Sequence, residues 1–155
     1  MITVDTYVPY KSFNKLMFAD TSIDGAQWLP ILEKVYAKIS VNYEKMGLGW
    51  MSEAMRILTG APSRQYRADL MHTDDLWTLL QTADKLHFAL TVATQRKVFG
   101  LVQGHAYTLL GCYELKDRQG RTVERLVHLR NPWAKETYTG PWNDHSWEWT
   151  DDFRR

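Results

Sequence analysis

Gly104-His105-Ala106-Tyr107-Thr108-Leu109-Leu110-Gly111-Cys112-Tyr113-Glu114-Leu115 alternates in polarity, and so does Thr122-Val123-Glu124-Arg125-Leu126-Val127-His128-Leu129-Arg130-Asn131. The polar stretch Lys116-Asp117-Arg118-Gln119-Gly120-Arg121 separates them. Two period-two runs around a short polar connection predict an antiparallel hairpin. Odd positions carry most of the apolar residues: Tyr107, Leu109, Tyr113 and Leu115 in the first run, Val123, Val127 and Leu129 in the second. Both odd faces are therefore expected to point at one core. A turn centred on Arg118 would set His105 directly opposite Asn131 on the same face, with Cβ atoms roughly 4.5–5.5 Å apart. A bulge would shift that register by a residue.

A His–Asn pair has a chemical use. If an amide oxygen holds one ring nitrogen of an imidazole, the other is aimed and free to exchange a proton. Beside a cysteine, such a histidine takes the thiol proton. The thiolate attacks a carbonyl, and the imidazolium then protonates the leaving amine. Asparagine orients the ring without a charge that competes with the thiolate. Trp133 follows closely enough to cover the pair and keep water from its hydrogen bond. Plainer roles exist for the same residues, since a histidine can open a strand and Asn-Pro opens turns. Cys112 is not the thiol in question: it lies seven residues past His105 on the opposite face of the strand. It reads as a small buried hydrophobe.

Upstream, Trp28, Leu32, Val35, Ile39, Tyr43 and Met46 recur every three or four residues, predicting a helix over about 28–46. Pro30 fits only its first turn. Gly47-Leu48-Gly49 ends it and marks the best boundary between two lobes. Short extended segments are expected at Ile2–Val8 and Lys15–Ala19, a short helix at Ser52–Leu58, and a helix from Asp74 to His87. Thr73 or Asp74 would cap that helix, with Leu76, Leu79, Leu80, Ala83 and Leu86 facing the core. Phe88–Thr94 reads as a strand.

The bulk properties narrow the class. The 155 residues are 45% hydrophobic and 24% charged, enough for a packed core in one domain or two small lobes. A net charge of +1 argues against nucleic acid or a membrane surface as a partner held by bulk charge. One cysteine excludes an intrachain disulfide and a thiolate-rich metal site. No apolar run approaches the roughly 20 residues of a membrane span. The start MITVDTYVPYK lacks the blocks of a signal peptide. A cytoplasmic protein is expected. Four of the seven tryptophans, Trp133, Trp142, Trp147 and Trp149, crowd the end of the chain. They read as core and cleft wall, not as a base-stacking platform. His72, His87, His128 and His145 share no metal-ligand spacing and read as surface or capping residues. Met46, Met51 and Met55 read as core filler.

Over nearly its whole length the chain resembles the calpain family of cysteine proteases. Gly104-His105-Ala106-Tyr107 is similar to the segment holding that family's catalytic histidine. Arg130-Asn131-Pro132-Trp133 is similar to the one holding its catalytic asparagine and shielding tryptophan. Thr139-Gly140-Pro141-Trp142-Asn143-Asp144 with Ser146-Trp147, the helix Leu32-Glu33-Lys34-Val35-Tyr36-Ala37-Lys38-Ile39, Tyr43-Glu44 and Thr59-Gly60 fit as well. The resemblance implies an α+β, papain-like fold. Residues 1–49 would be the C-terminal part of the first lobe of the protease core, and 50–155 the sheet-rich second lobe with a few helices. It implies His105 and Asn131 as catalytic residues, Trp133 as their shield, and Gly49 and Gly104 as substrate-binding positions. Leu48 stands where the family usually has a second glycine.

The resemblance also implies a calcium site, for which Asp144 fits one ligand position. The preceding acidic position is Thr137, with Glu136 one residue early. Calcium takes six to eight oxygens, so tight binding by this chain alone is not expected. The family's nucleophilic cysteine lies in the first lobe, upstream of these residues. The chain is therefore expected to act on a protein or peptide substrate only with a partner first lobe that carries the Cys. The alternative is a non-catalytic peptide-binding or regulatory module of calpain descent. In either case, part of the apolar stripe of the 28–46 helix is expected to be uncovered.

Overall fold

Hydrogen bonding around Asp117 sets the register of the central hairpin. The computed structural model describes all residues except Leu48, Asp152, Arg154 and Arg155. The departure at Leu48 lies outside the described residues. The chain divides into two units, Met1–Ser63 and Arg64–Arg155, and the architecture is α+β.

The first unit opens with a small hairpin, β1 (Tyr10–Ser12) and β2 (Lys15–Leu16). Its two-residue turn is Phe13-Asn14, with Asn14 left-handed at φ 58°, a conformation that asparagine tolerates. Helix α1 spans Trp28–Ile39 and buries Pro30 and Ala37. It stops well before Met46, the expected end. Val41 turns left-handed at φ 82°, and the Asn42 side chain accepts the Lys45 N–H at 2.8 Å. Asparagine competes in this way with helical backbone bonds. A short 3-10 turn, Lys45–Gly47, follows, and Tyr43 stacks on Phe18 at 4.7 Å. Trp28, Leu29 and Ile39 are exposed, so part of the helix stripe is uncovered. Helix α2 spans Met51–Thr59 and ends on a left-handed Gly60.

In the second unit, α3 (Thr73–Lys85) packs against an antiparallel sheet of β3 (Leu90–Ala93), β4 (Ala106–Lys116) and β5 (Thr122–Arg130), in the order β3-β4-β5. The His72 side chain, rather than Thr73 or Asp74, caps α3 by accepting from Asp74 N. Asp74 and Asp75 in the first turn and Lys85 in the last suit the helix dipole. The helix stops short of His87 because His87 is left-handed at φ 56°. Phe88 N–H then returns to Ala83 O and His87 N–H to Asp84 O, a Schellman closure. Leu86 is consequently 58% exposed instead of facing the core.

The core of this unit lies between α3 and the inner face of β4, where Trp77, Ala83, Tyr107 and Leu109 are buried. The Trp77 indole N–H donates to Glu114 Oε1 at 3.0 Å, and the Asp84 carboxylate accepts Cys112 N–H at 3.0 Å. Arg125 lies over the Trp77 ring at 5.6 Å and pairs with Asp74 at 2.6 Å.

The hairpin has the predicted strands but not the predicted register. Asp117 accepts the N–H groups of Gln119 and Arg121, each at 2.9 Å, and its own N–H reaches Arg121 O. This centres the turn on Gln119 rather than Arg118, and the ladder closes with Thr108 opposite Arg130. Irregularities between Leu109 and Gly111 and between Leu115 and Lys116 shift it again. Each extra residue turns the following side chains to the other face. Thus Tyr107, Leu109 and Gly111 are buried, but Tyr113 is 51% exposed while Cys112 and Glu114 are half-buried. The odd face is the core face only as far as Gly111.

Beyond β5, the Glu148 carboxylate accepts Trp142 N–H at 2.7 Å and the buried Ser146 hydroxyl. Trp142 meets Trp149 edge-on at 5.0 Å and Phe153 at 5.8 Å. Trp142 and Trp149 are framework as expected. Trp147 is not: it is 88% exposed.

Candidate functional site

Two turns, one before β4 and one after β5, meet at the open end of the hairpin. On the β4 side, Thr94 continues the sheet past β3. Its N–H donates to His105 O at 3.1 Å, and its carbonyl accepts Gly104 N–H at 2.8 Å. Its hydroxyl donates to Val102 O. Gly104 is left-handed at φ 68°, with nothing near a would-be Cβ. This is a conformation that glycine adopts without strain. His105 follows it, half-buried.

On the β5 side, Asn131-Pro132-Trp133-Ala134 forms a turn closed by Ala134 N–H to Asn131 O at 3.1 Å. The Asn131 side-chain oxygen accepts the Trp133 N–H at 3.1 Å, and its Nδ2 donates to Lys135 O at 3.0 Å. Those two bonds fix which end of the carboxamide is oxygen. The turn-opening role of Asn-Pro and the orienting role of Asn131 are therefore carried by one side chain.

The His105 Nε2 lies 3.0 Å from Asn131 Oδ1. A carboxamide oxygen only accepts, so Nε2 carries the hydrogen and Nδ1 keeps the lone pair. The Trp133 ring lies at 4.2 Å from the imidazole, tilted by 39°, and the Tyr107 ring meets it edge-on at 4.8 Å. Trp133 is itself 58% exposed, so it covers one face of the imidazole. His105 and Asn131 are not opposite each other in the ladder; both lie past its last pair, Thr108 and Arg130. The predicted pair forms, by a different register from the predicted one.

Cys112 is remote from this arrangement. Seven residues of strand span roughly 20 Å, and burial, with Asp84 nearby, pushes its thiol pKa up. A half-buried neutral thiol is a poor nucleophile. Gly104 belongs to the second unit and Gly49, which is exposed, to the first.

Some contributors were not singled out from the sequence. Phe99 O accepts Thr139 N–H at 2.8 Å, and Tyr138 meets the Phe99 ring edge-on at 6.4 Å. Gly100, at φ 83°, lies so close to the next segment that a Cβ there would fall 1.7 Å from Thr137 O. These contacts tie the loop before His105 to the segment after Asn131. A Phe-Gly dipeptide in a loop is the only sequence signal for it.

Glu136 turns its carboxylate back on the Tyr138 N–H, and Asp144 is exposed. Among the described residues no group of three His, Cys, Asp or Glu side chains is placed to hold a metal ion. Calcium at Glu136 and Asp144 would need most of its oxygens from elsewhere. Among the described residues no helix is long and apolar enough to cross a membrane.

The chain belongs to the calpain family of cysteine proteases, which it matches over residues 1–154. It is 33% identical to human calpain-14 over 96% of its own length and 22% of that protein's. It is 34% identical to the calpain-type cysteine protease ADL1 of Oryza sativa subsp. japonica, over 97% of this chain and 7% of that one. To the mouse calpain-1 catalytic subunit it is 31% identical, over 96% and 22% respectively. The chain thus spans less than a quarter of these relatives. Its α+β fold is that of a calpain protease domain and agrees with a papain-like second lobe.

Proposed function

We propose that this chain is part of the catalytic core of a calpain-like intracellular cysteine endopeptidase. In this reading residues 1–49 end a first lobe and 50–155 make up most of a second. The chain supplies the His–Asn part of a Cys-His-Asn triad and one wall of the substrate cleft. The observation that carries the reading is the His105 Nε2–H held by Asn131 Oδ1 at 3.0 Å, which leaves Nδ1 as the proton acceptor.

The steps follow from that geometry. Nδ1 of His105 takes the proton of a cysteine thiol supplied by the first lobe, and Asn131 Oδ1 stabilises the resulting imidazolium without neutralising it. The thiolate attacks the peptide carbonyl, and the Nδ1–H passes to the leaving amine as the C–N bond breaks. Water, deprotonated by Nδ1, then hydrolyses the thioester and frees the acid and the cysteine. Trp133 limits water at the Nε2–Oδ1 bond, which is weaker when solvent competes for it.

The test joins the chain to a calpain first lobe carrying its cysteine and follows cleavage of an unfolded protein. Cleavage by the joined protein, lost in His105→Ala and absent from the chain alone, is the expected result. Cleavage by the chain alone would overturn the reading. A second reading is a non-catalytic peptide-binding or regulatory module of calpain descent, to which Leu48, in place of the family's usual glycine, points. Peptide binding by the joined protein without cleavage would establish that reading instead.

A further inference from the structure

The backbone of Val102, three residues ahead of His105, is held by side chains at both its N–H and its carbonyl. Its N–H donates to the Tyr107 hydroxyl at 3.1 Å, and its carbonyl accepts from the Thr94 hydroxyl. Tyr107 is only 3% exposed. It is fixed in β4 opposite Val92, so its ring cannot follow the loop; the loop is held to it. The same ring meets the His105 imidazole edge-on at 4.8 Å and an interplanar angle of 85°. One side chain therefore does two things. Its ring, set nearly perpendicular to the imidazole, limits rotation of His105, and its hydroxyl holds the turn through left-handed Gly104 that delivers His105.

We propose that Tyr107 is a positioning residue for His105, acting through the Val102 N–H and through ring contact. This rests on the reading of His105 and Asn131 as a proton-carrying pair. Asn131 restrains only Nε2. The second restraint on where Nδ1 points comes from the loop that carries the histidine backbone. A buried tyrosine whose hydroxyl serves a loop N–H has an apolar part that packs and a polar tip that needs a partner. Here the partner is the segment whose position decides the aim of the base.

The test uses the whole chain and reads the histidine directly. The 15N shifts of the His105 ring distinguish a fixed Nε2–H tautomer from a rapidly averaging mixture. Asn131→Ala should move both ring shifts toward the averaged values. Tyr107→Phe, which keeps the ring and removes the hydroxyl, should shift them part of the way and speed exchange of the Val102 amide by about five- to tenfold, as loss of one hydrogen bond would. Tyr107→Leu should shift them further. If Asn131→Ala changes the shifts and both Tyr107 variants leave them and the Val102 exchange as in wild type, the positioning role is wrong and the His–Asn pair stands. If Asn131→Ala also changes nothing, the pair itself is wrong and the proposal falls with it. Should Tyr107→Leu not fold, the phenylalanine variant decides alone, because its packing is conserved.

Discussion

Asn131 holds the His105 imidazole from a turn rather than from a strand. Its carboxamide oxygen accepts the ring Nε2–H at 3.0 Å and the Trp133 N–H at 3.1 Å, while its amide donates to Lys135 O. Asn131→Ala removes all three bonds. The expected loss of stability is about 1–3 kcal/mol, read from denaturant unfolding. In protein joined to a cysteine-bearing lobe, kcat should fall at least about tenfold, and His105→Ala should lower it by roughly 100-fold or more. Equal cleavage by wild type and Asn131→Ala would show that the carboxamide has no part in aiming the ring.

Gly100 and Gly104 flank the same loop but differ in surroundings. A Cβ at Gly100 would meet Thr137 O at 1.7 Å in a left-handed backbone, whereas one at Gly104 would meet nothing within 4 Å. Gly104→Ala should cost about 1–2 kcal/mol, the strain of left-handed backbone alone. Gly100→Ala adds a backbone collision that must part the loop from the 137–139 segment, and should cost about 3 kcal/mol or more. Thermal unfolding of the two variants side by side reads the difference. Near-equal effects would mean that the contact with Thr137 is not maintained.

The Asp117 turn makes hairpin stability depend on pH. Backbone N–H donation from Arg121, followed by its side chain and the Gln119 N–H, holds the Asp117 carboxyl below its ordinary value of 3.8. A lowered folded-state pKa means that the ionised form is stabilised by folding. The contribution is therefore complete above 3.8 and is lost as pH falls through the lower folded value. The Tm difference between wild type and Asp117→Asn should be constant near neutrality and shrink toward zero below pH 3.8. A difference that stays constant down to pH 2 would remove the carboxylate from the account of the turn.

Local patterns carried much of this architecture, and long-range choices carried the rest. Alternation over 104–131 predicts both strands of the hairpin to within two residues at each end, because period two reflects backbone geometry alone. Register is different. It depends on Asp117 choosing two N–H partners and on where extra residues enter the ladder, and neither leaves a mark on apolar spacing. The same limit hid the orientation of Cys112 and Glu114 and the partnership of Trp77 with Glu114. The His105–Asn131 pair was legible because it needs only that both residues flank one hairpin. Tyr107 and Thr94 were not, since their partners lie in the 95–103 loop, whose course follows no periodic rule. The end of α1 at Ile39 was hidden too, by a left-handed valine that propensity disfavours.

Cys112 offers a control on the whole chemical reading. It is half-buried on β4, its N–H is held by Asp84, and burial, reinforced by Asp84, raises its thiol pKa. At neutral pH the thiol stays protonated and half-buried, so alkylation by iodoacetamide should be slower than for a free cysteine in a peptide. The rate should rise as pH climbs past the ordinary 9.0 for a cysteine thiol. Cys112→Ser should leave cleavage by the lobe-joined protein unchanged while costing some stability, since a hydroxyl is harder to bury than a thiol. If instead Cys112 alkylates fast at pH 7 and its serine variant abolishes cleavage, the nucleophile is in this chain. The assignment of the thiol to a separate lobe would then be wrong.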